Sequence, residues 1–531
     1  MGLSVSFKVL VSDPLAKEGV DILKGFCDVD EKADLSEDEL VKIIGGYDAL
    51  IVRSGTQVTA RIIEAADRMK YIGRAGVGVD NIDCDAATKK GIIVSNAPEG
   101  NTLAATEHTI AMMMALARNI PQATASLKKG EWKRSKFMGN EMNGKVLGVV
   151  GFGRIGREVS KRAQALQMTV IAYDPFIPAE VGAAMGVEMM SVAELFTKAD
   201  VITVHTPLIP STTHLVNKES IATMKDGVRL INCARGGIID EAALYEAITS
   251  GKVAGAALDV FEQEPPTDSP LLSLDKVIVT PHLGASTVEA QKNVAISVAQ
   301  QCIEVLKGGS AKNAVNAPLV APELRPKLEP FAQLTEKMGS LAAQLADGAI
   351  TEIEFAYLGE VAEMKQNLKY PTRMGLKGLL DKALHEPANL VNAEFIAQQR
   401  GMTIVEKTSA DAGDYKSLVT LTFKTGKGTQ TISGIITRVG PRITSINDYS
   451  MDLVPKGNVI VADHINRPGV VGPVCVLLGK YNINISNMQV GKVDVGSESL
   501  MILAVDDVVP ANVMQEVAES DGIISAKFMQ L

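Results

Sequence analysis

The sequence predicts an α/β protein of two parallel-sheet lobes in series, followed by smaller α+β units. Three observations carry that prediction. Short apolar runs alternate with amphipathic stretches through the first hundred or so residues, and the alternation restarts from residue 145. The last 75 residues, 457–531, then run strand, helix, strand, strand, helix, strand, the order of a small ferredoxin-like unit. At 531 residues the chain is too long for one core, so several domains are expected.

In the first lobe FKVLVSD (7–13), DALIVRSG (48–55), YIGRAGVGV (71–79) and GIIVSNAP (91–98) read as buried strands. LSEDELVKII and TARIIEAADRM, between them, carry helical periodicity. In the second lobe six strands are expected: KVLGVVG, TVIAYD, DVITVHTP, VRLINCAR, AGAALDVF and KVIVTPHLG. Two long helices, over 102–120 and 286–309, tie the lobes together, the second being placed to carry the chain back to the first lobe. The cluster Met112–Met114 reads either as the lining of a ligand pocket or as packed core. NAPLVAPELRPKLEP (316–330), with four prolines in fifteen residues, reads as a linker. Beyond it KMGSLAAQLADG and MGLKGLLDKALH are helical, and SLVTLTF and TQTISGIIT strand-like.

Composition narrows the function classes. A net charge of −9 disfavours nucleic acid as a partner, because phosphate backbones are held by excess Lys and Arg. No apolar run reaches membrane-spanning length. The start MGLSVSFKVLVSD lacks the basic and apolar regions of a signal peptide, and although Ser6 fits a myristoylation pattern the strand-like context speaks against one. Five cysteines at wide spacings suggest neither a disulfide framework nor a zinc site, so a cytoplasmic protein without a metal is expected.

The stretch VVGFGRIG places Gly151, Gly153 and Gly156 after a strand and at the start of a helix. Glycines there permit a tight turn and close backbone approach, and the helix N-terminus favours a dinucleotide pyrophosphate. Asp174 closes the next strand, 23 residues after Gly151, where a carboxylate bonds both adenosine ribose hydroxyls and repels a 2′-phosphate. The second lobe is therefore expected to be Rossmann-like and to bind NAD.

Ligands of open α/β sheets lie beyond the carboxyl ends of the strands. Successive strands end in Asp174, Thr206, Arg235, Asp259 and His282. Arg235, in INCARGGIID, could clamp a carboxylate and a neighbouring oxygen, or bond loop carbonyls as a structural arginine. His282, in TPHLGAST, suits removal of a hydroxyl proton as hydride leaves the same carbon. LDVFEQEPP offers Glu262 and Glu264 as partners that would fix the imidazole tautomer and favour its protonated form, and the residues alone do not choose between them.

Together VVGFGRIG…YDP, NCARGGIID, GAALDVFEQEP and PHLGAST resemble the D-isomer-specific 2-hydroxyacid dehydrogenase family over about residues 1–316. RAGVGVDNID, PQATASLKKGEWKRSKFMG and the long C-terminal extension are similar to its phosphoglycerate-oxidising branch. The resemblance implies a catalytic set of Arg235, Glu264 and His282, leaving Glu262 an ordinary neighbour. It implies NAD contacts from Val77, Gly151, Gly153, Arg154, Ile155, Gly156, Asp174, Thr206, Cys233, Ala234, Arg235, Asp259, His282, Gly284 and Ala285. Cys233 reads otherwise as a reactive thiol or as a small buried neighbour of the site.

The same resemblance implies a first, flavodoxin-like lobe (1–101 and 285–316) that binds substrate, interrupted by the NAD lobe (102–284), with two regulatory domains over 317–456 and 457–531. Arg53, Arg74, Gly76 and Val77 are expected to hold the phosphate and carboxylate of 3-phosphoglycerate, whose oxidation to 3-phosphohydroxypyruvate opens serine biosynthesis. Lys133, Arg134 and Lys136 read either as further phosphate contacts, including from a neighbouring subunit, or as a solvated face. The middle region, over about 318–455, is similar to an allosteric substrate-binding domain. VADHINRPGVVGPVCVLLGKYNINIS (461–486) resembles an ACT domain, with His464, Asn466 and Asn484 at positions implying an L-serine effector site, unless the domain serves only to build the oligomer. A homotetramer is expected from the large apolar helices and the added domain. The competing readings are another dehydrogenase of the family, such as a glyoxylate or hydroxypyruvate reductase, and a non-catalytic NAD- or amino-acid-sensing regulator.

Overall fold

Five parallel strands form the first sheet: β1 (Lys8–Val11), β2 (Asp28–Glu31), β3 (Ala49–Val52), β4 (Tyr71–Arg74) and β5 (Ile93–Ser95), in the order β2-β1-β3-β4-β5. The structure is a computed structural model describing residues 7–318, 320, 323–383, 388–491 and 497–531. The expectations for residues 1–6, for positions 319, 321 and 322 of the linker, and for residues 384–385 of the helix expected over 374–385 lie outside these described residues.

The central strand β3 is buried along its whole length, which is why its sequence, ALIV, is continuously apolar. The sequence pattern misses β2, whose residues DVDE form a part-exposed edge without an apolar run.

Seven parallel strands form the second sheet: β6 (Val146–Val150), β7 (Thr169–Tyr173), β8 (Glu188–Met189), β9 (Val201–Val204), β10 (Val228–Asn232), β11 (Val253–Leu258) and β12 (Val277–Val279). Their order is β12-β11-β10-β9-β6-β7-β8, so the topology reverses between β6 and β9. Six of these strands were expected; the seventh, β8, is a two-residue edge too short to leave a periodic signal. Helix Thr102–Ala117 packs on this lobe, with Met112 and Met113 in its core, so the methionine cluster is packed core.

The chain then returns. Helix Val288–Leu306 lies against β4 of the first sheet, where the Tyr71 hydroxyl donates to the Val298 carbonyl at 3.3 Å. A side chain at Gly73 would sit 2.4 Å from Val298, so glycine permits this approach. Past the helix the chain runs beside β5, the Val315 amide donating to the Val94 carbonyl at 2.7 Å and the Val94 amide to Asn316 Oδ1 at 2.9 Å.

The expected linker over 316–330 is shorter than its prolines suggest. Helix Arg325–Leu345 begins inside it, with a proline in its first turn, where no N–H is needed, and Pro330 within. Burial of Leu328, Phe331 and Leu334 holds that first half in place.

This helix and helix Lys369–Ala383 pack together against a six-stranded sheet. Its strands are β13 (Ile350–Gly359), β14 (Thr403–Ser409), β15 (Ser417–Thr425), β16 (Gly428–Thr437), β17 (Gly440–Ile446) and β18 (Tyr449–Leu453), in the order β14-β13-β15-β16-β17-β18. The last unit is an antiparallel sheet of β19 (Asn458–Ile465), β20 (Ile485–Val490), β21 (Glu498–Val505) and β22 (Ile523–Gln530), ordered β20-β21-β19-β22, the expected ferredoxin-like arrangement.

Candidate active site

The carboxyl ends of β3 and β4 face those of β10–β12 across a cleft of about 640 Å³ lined by Arg53, Arg74, Arg235, Glu264 and His282. Two lobes that share no sheet thus supply opposite walls of one site.

His282 follows β12 in a left-handed backbone conformation (φ 57°), its amide donating to the Asp259 carbonyl at 2.9 Å. Its Nδ1 lies 2.8 Å from Glu264 Oε2, which settles the choice between the two glutamates. Glu262 turns away to His214, 3.2 Å from that ring's Nε2. Burial pushes the Glu264 carboxyl up, but the His282 hydrogen bond and charge and the Phe261 amide hold it below the usual range. An ionised carboxylate only accepts, so the proton of a neutral imidazole resides on Nδ1 and the Nε2 lone pair is left free as a base.

Arg235 follows β10 in a turn shaped by buried Asn232, whose Nδ2 donates to the Arg235 carbonyl and whose Oδ1 accepts from the Ala234 amide. Its Nη1 donates to the Ala234 carbonyl at 2.7 Å and its Nε to Asp80 Oδ2, on the other lobe, at 3.2 Å. Arg74 is largely buried, with an Nε that has no hydrogen-bond partner. Burial first, and then the neighbouring Arg235 and Arg53 charges, lower its pKa to about 10, which leaves it charged at neutral pH. Arg53 Nη1 donates to the Pro14 carbonyl at 3.2 Å. Gly76 and Val77 line the same wall, and no helix starts within RAGVGV.

The glycine loop has the shape a dinucleotide needs. Gly151 has φ +96°, and a Cβ there would meet the His205 carbonyl carbon at 2.7 Å. A Cβ at Gly156 would lie 2.1 Å from the Gly151 oxygen, so this glycine seats the helix Arg154–Ala165 against the loop. A Cβ at Gly153 would meet nothing within 4 Å, leaving room where a pyrophosphate would approach the helix N-terminus. Asp174 accepts from the Phe152 and Phe176 amides, each at 2.9 Å, which fixes its carboxylate beside the loop. The Thr206 hydroxyl is buried without a partner, an orphaned group at the same edge. These residues fit NAD.

Asp259, a residue the resemblance places at the cofactor, has its buried carboxylate bonded within the protein. It accepts from Thr280 Oγ1 at 2.6 Å, from the Leu283 and Gly284 amides at 2.7 and 2.8 Å, and lies 3.2 Å from His108 Nε2. It thereby holds the loop that carries His282. Within this chain Asn484 stands apart from His464 and Asn466. It precedes β20 at the level of Asn458, six residues down β19 from His464, or roughly 20 Å along the strand. Its Nδ2 donates to Asp506 at 2.6 Å. His464 is buried, with Nδ1 3.0 Å from the Ile465 carbonyl and Nε2 unpartnered, and the Asn466 amide donates to the Ser497 carbonyl at 2.9 Å.

The remaining residues are placed as follows. Burial pushes the Cys233 thiol up to about 12, so it is a small buried neighbour of the site. Ala285 lines the cleft, Ile155 packs into the second-lobe core, and Arg154 Nη2 lies 3.8 Å from Glu99 Oε1 on the first lobe. Lys133, Arg134 and Lys136 are exposed, Lys133 pairing with Glu131 at 2.9 Å, and none lines the cleft of this chain.

Sequence reasoning missed His108, Asn232, Asp13 and Asn81. Asp13 Oδ2 accepts from the Arg53 amide at 2.5 Å, and Asn81 Nδ2 donates to the Arg53 carbonyl at 2.8 Å. All four act on loop backbone or on other side chains; the places of Asp13 and Asn232 at strand ends could have marked those two.

A doubly wound second lobe, a glycine loop fitted to a dinucleotide and a histidine–carboxylate pair facing arginines define an NAD-dependent oxidoreductase of the 2-hydroxyacid type. The family profile described as "D-isomer specific 2-hydroxyacid dehydrogenase, NAD binding domain" matches residues 110–284. The D-3-phosphoglycerate dehydrogenase intervening domain matches 327–447, and the ACT domain 458–522. A D-3-phosphoglycerate dehydrogenase of Methanocaldococcus jannaschii is 48% identical over 517 residues, 97% of this chain and 98% of the relative. That of Bacillus subtilis is 43% identical over 99% of this chain and 100% of its own. Among solved structures, a D-lactate dehydrogenase from Aquifex aeolicus complexed with NAD and lactic acid superposes with a TM-score of 0.53 at 31% identity, covering 58% of this chain and 98% of its own. The chain belongs to the D-3-phosphoglycerate dehydrogenases of the D-isomer-specific 2-hydroxyacid dehydrogenase family.

Proposed function

We propose that the chain oxidises D-3-phosphoglycerate to 3-phosphohydroxypyruvate, with Arg235, Glu264 and His282 as its catalytic set. The observation that carries this reading is the 2.8 Å His282–Glu264 pair in the cleft lined by Arg235, Arg74 and Arg53. Arg235 holds the carboxylate and the C2 oxygen through its free N–H donors. His282 Nε2 takes the hydroxyl proton, and Glu264 stabilises the imidazolium that forms. NAD, when bound, supplies the hydride acceptor. In reverse, protonated His282 returns the proton to the carbonyl oxygen. Arg53 and Arg74 hold the phosphate and carboxylate, with the Gly76 and Val77 backbone facing the carboxylate, an arrangement suited to a substrate bearing two anionic groups.

On the same reading residues 1–101 with 285–316 bind substrate, 102–284 bind NAD, and the two C-terminal domains regulate, with L-serine as effector of the ACT-type domain that carries His464, Asn466 and Asn484. The enzyme acts in the cytoplasm as a homotetramer. The five unpaired cysteines support the reducing compartment, and exposed Leu103, Ile120, Leu127, Trp132 and Met138 support association. No helix among the described residues is long and apolar enough to cross a membrane.

The test is an NADH assay with 3-phosphoglycerate against glycerate, lactate and 2-hydroxyglutarate, with and without L-serine. Preference for the phosphorylated acid is expected, with inhibition at or below millimolar serine. Equal turnover of glycerate would defeat the substrate assignment, and insensitivity to serine the effector assignment.

A further inference from the structure

Among the described residues Arg235 is the one cleft arginine whose guanidinium is in an ion pair, and its partner comes from the opposite lobe. Asp80, in the loop after β4, accepts from Arg235 Nε at 3.2 Å. Among the described residues no other carboxylate pairs with the guanidinium of Arg53, Arg74 or Arg235. Of the other acids lining the cleft, Glu264 is bound to His282 and Glu262 to His214.

The pair is fitted closely into the first-lobe loop. A Cβ at Gly78 would lie 2.1 Å from Arg235 Nη2 and 2.4 Å from Asp80 Oδ2, so glycine is what lets the guanidinium and carboxylate lie side by side over the backbone. With Nε given to Asp80 and one Nη1 hydrogen to the Ala234 carbonyl, one Nη1 and two Nη2 hydrogens remain. The Asp80 side chain is 71% exposed, and exposed pairs add little to fold stability. Its physical effect is on where the planar fork points and on the charge the fork presents.

We infer that Asp80 is a positioning residue for Arg235: it holds the Nε edge from across the cleft, turns the remaining donors toward the substrate, and tempers the positive charge of three clustered arginines. The inference rests on Arg235 being the substrate clamp. It makes this clamp an assembly of both lobes, complete only at the lobe separation seen here.

The test uses the full-length protein, with steady-state kinetics for 3-phosphoglycerate at saturating NAD and competitive inhibition by inorganic sulfate. Asp80→Asn keeps the shape and removes the charge. It is expected to lower kcat about tenfold, to leave KM unchanged or lower it, and to bind sulfate several-fold more tightly, because an anion site has lost its internal competitor. Gly78→Ala, which wedges a methyl group into the same pair, is expected to lower kcat similarly with NADH affinity retained, and it reads the inference should Asp80→Asn fail to fold. A kcat within twofold of the parent in the folded variant, or a sulfate constant that does not move, would overturn it. Arg235→Gln is measured alongside. If it retains near-normal turnover, the clamp assignment itself has failed; if it collapses while Asp80→Asn does not, only the role of Asp80 is lost.

Discussion

His282 occupies a backbone conformation few non-glycine residues adopt, and the groups around it explain how it is kept there. Its amide is bonded to the Asp259 carbonyl, its ring to Glu264, and the next two amides to the Asp259 carboxylate. His282→Ala is expected to lower turnover by about 10²–10⁴-fold while NADH, titrated by its fluorescence, still binds. Near-normal turnover would remove the histidine from the mechanism. Asp259 matters in a different way. Burial pushes its carboxyl up, but the bonds from His108, Thr280 and the Leu283 and Gly284 amides prevail and hold it below the usual range. A depressed carboxyl contributes stability that is complete above the unfolded value of about 3.9 and is lost as pH falls through the lower folded value. Asp259→Asn is therefore expected to be about 2–3 kcal/mol less stable at neutral pH, with the gap narrowing below about pH 4. Thermal unfolding across pH checks this, and a gap independent of pH would show that the carboxylate charge is not what holds the loop.

At the scale of the element, the three glycines of the cofactor loop make separable predictions. Gly156→Ala would place a methyl group 2.1 Å from the Gly151 oxygen and unseat the helix. A loss of about 1–3 kcal/mol in stability together with weaker NADH binding is expected. Gly153→Ala meets nothing in the protein. Its melting temperature should stay near that of the parent while NADH affinity falls at least tenfold, because the methyl group enters the space left for the pyrophosphate. If both variants lose stability and binding in parallel, the distinction between seating glycine and contact glycine is wrong.

The same loop shows what is legible in a sequence. Its strand, glycine spacing and helix start follow a periodic pattern, and so do most buried strands. The edges β2 and β8 leave no such trace, being short or polar on both faces. Polar strand ends marked Arg235 and His282 as neighbours. The choice of Glu264, the internal role of Asp259 and the contribution of Asn232 depend on where a side chain turns within a loop, which spacing does not encode.

Across the whole molecule, the middle domain is fastened to the first lobe at the amino end of β5, the sheet edge opposite the carboxyl ends that carry Arg53 and Arg74. Asn389 Nδ2 donates to the Gly91 carbonyl at 2.8 Å and Arg373 Nη1 to the Asn316 carbonyl at 3.3 Å, so the middle domain grips the segments flanking β5, next to β4. The last sheet docks on the middle domain in turn, the Gln530 amide donating to Gln344 Oε1 at 3.0 Å and Lys527 to the Leu345 carbonyl at 2.7 Å. If serine acts as proposed, Asn389→Ala is expected to leave uninhibited turnover within about twofold while raising the serine concentration needed for half-inhibition, since coupling requires a physical contact that differs between states. An unchanged serine response would route the signal elsewhere.

Because the second lobe interrupts the first, the polypeptide passes between them twice, once before Thr102 and once after Gly284. The passages are neighbours: a Cβ at Gly100, just before the first, would lie 2.5 Å from Val294, in the helix that follows the second. A body joined to another by a single thread can swivel and twist; one joined by two adjacent threads can only swing, like a door on paired hinges. The connectivity thus favours a rotation about the line through the two crossings, and such a rotation would bring Asp80 and Arg235 together or draw them apart.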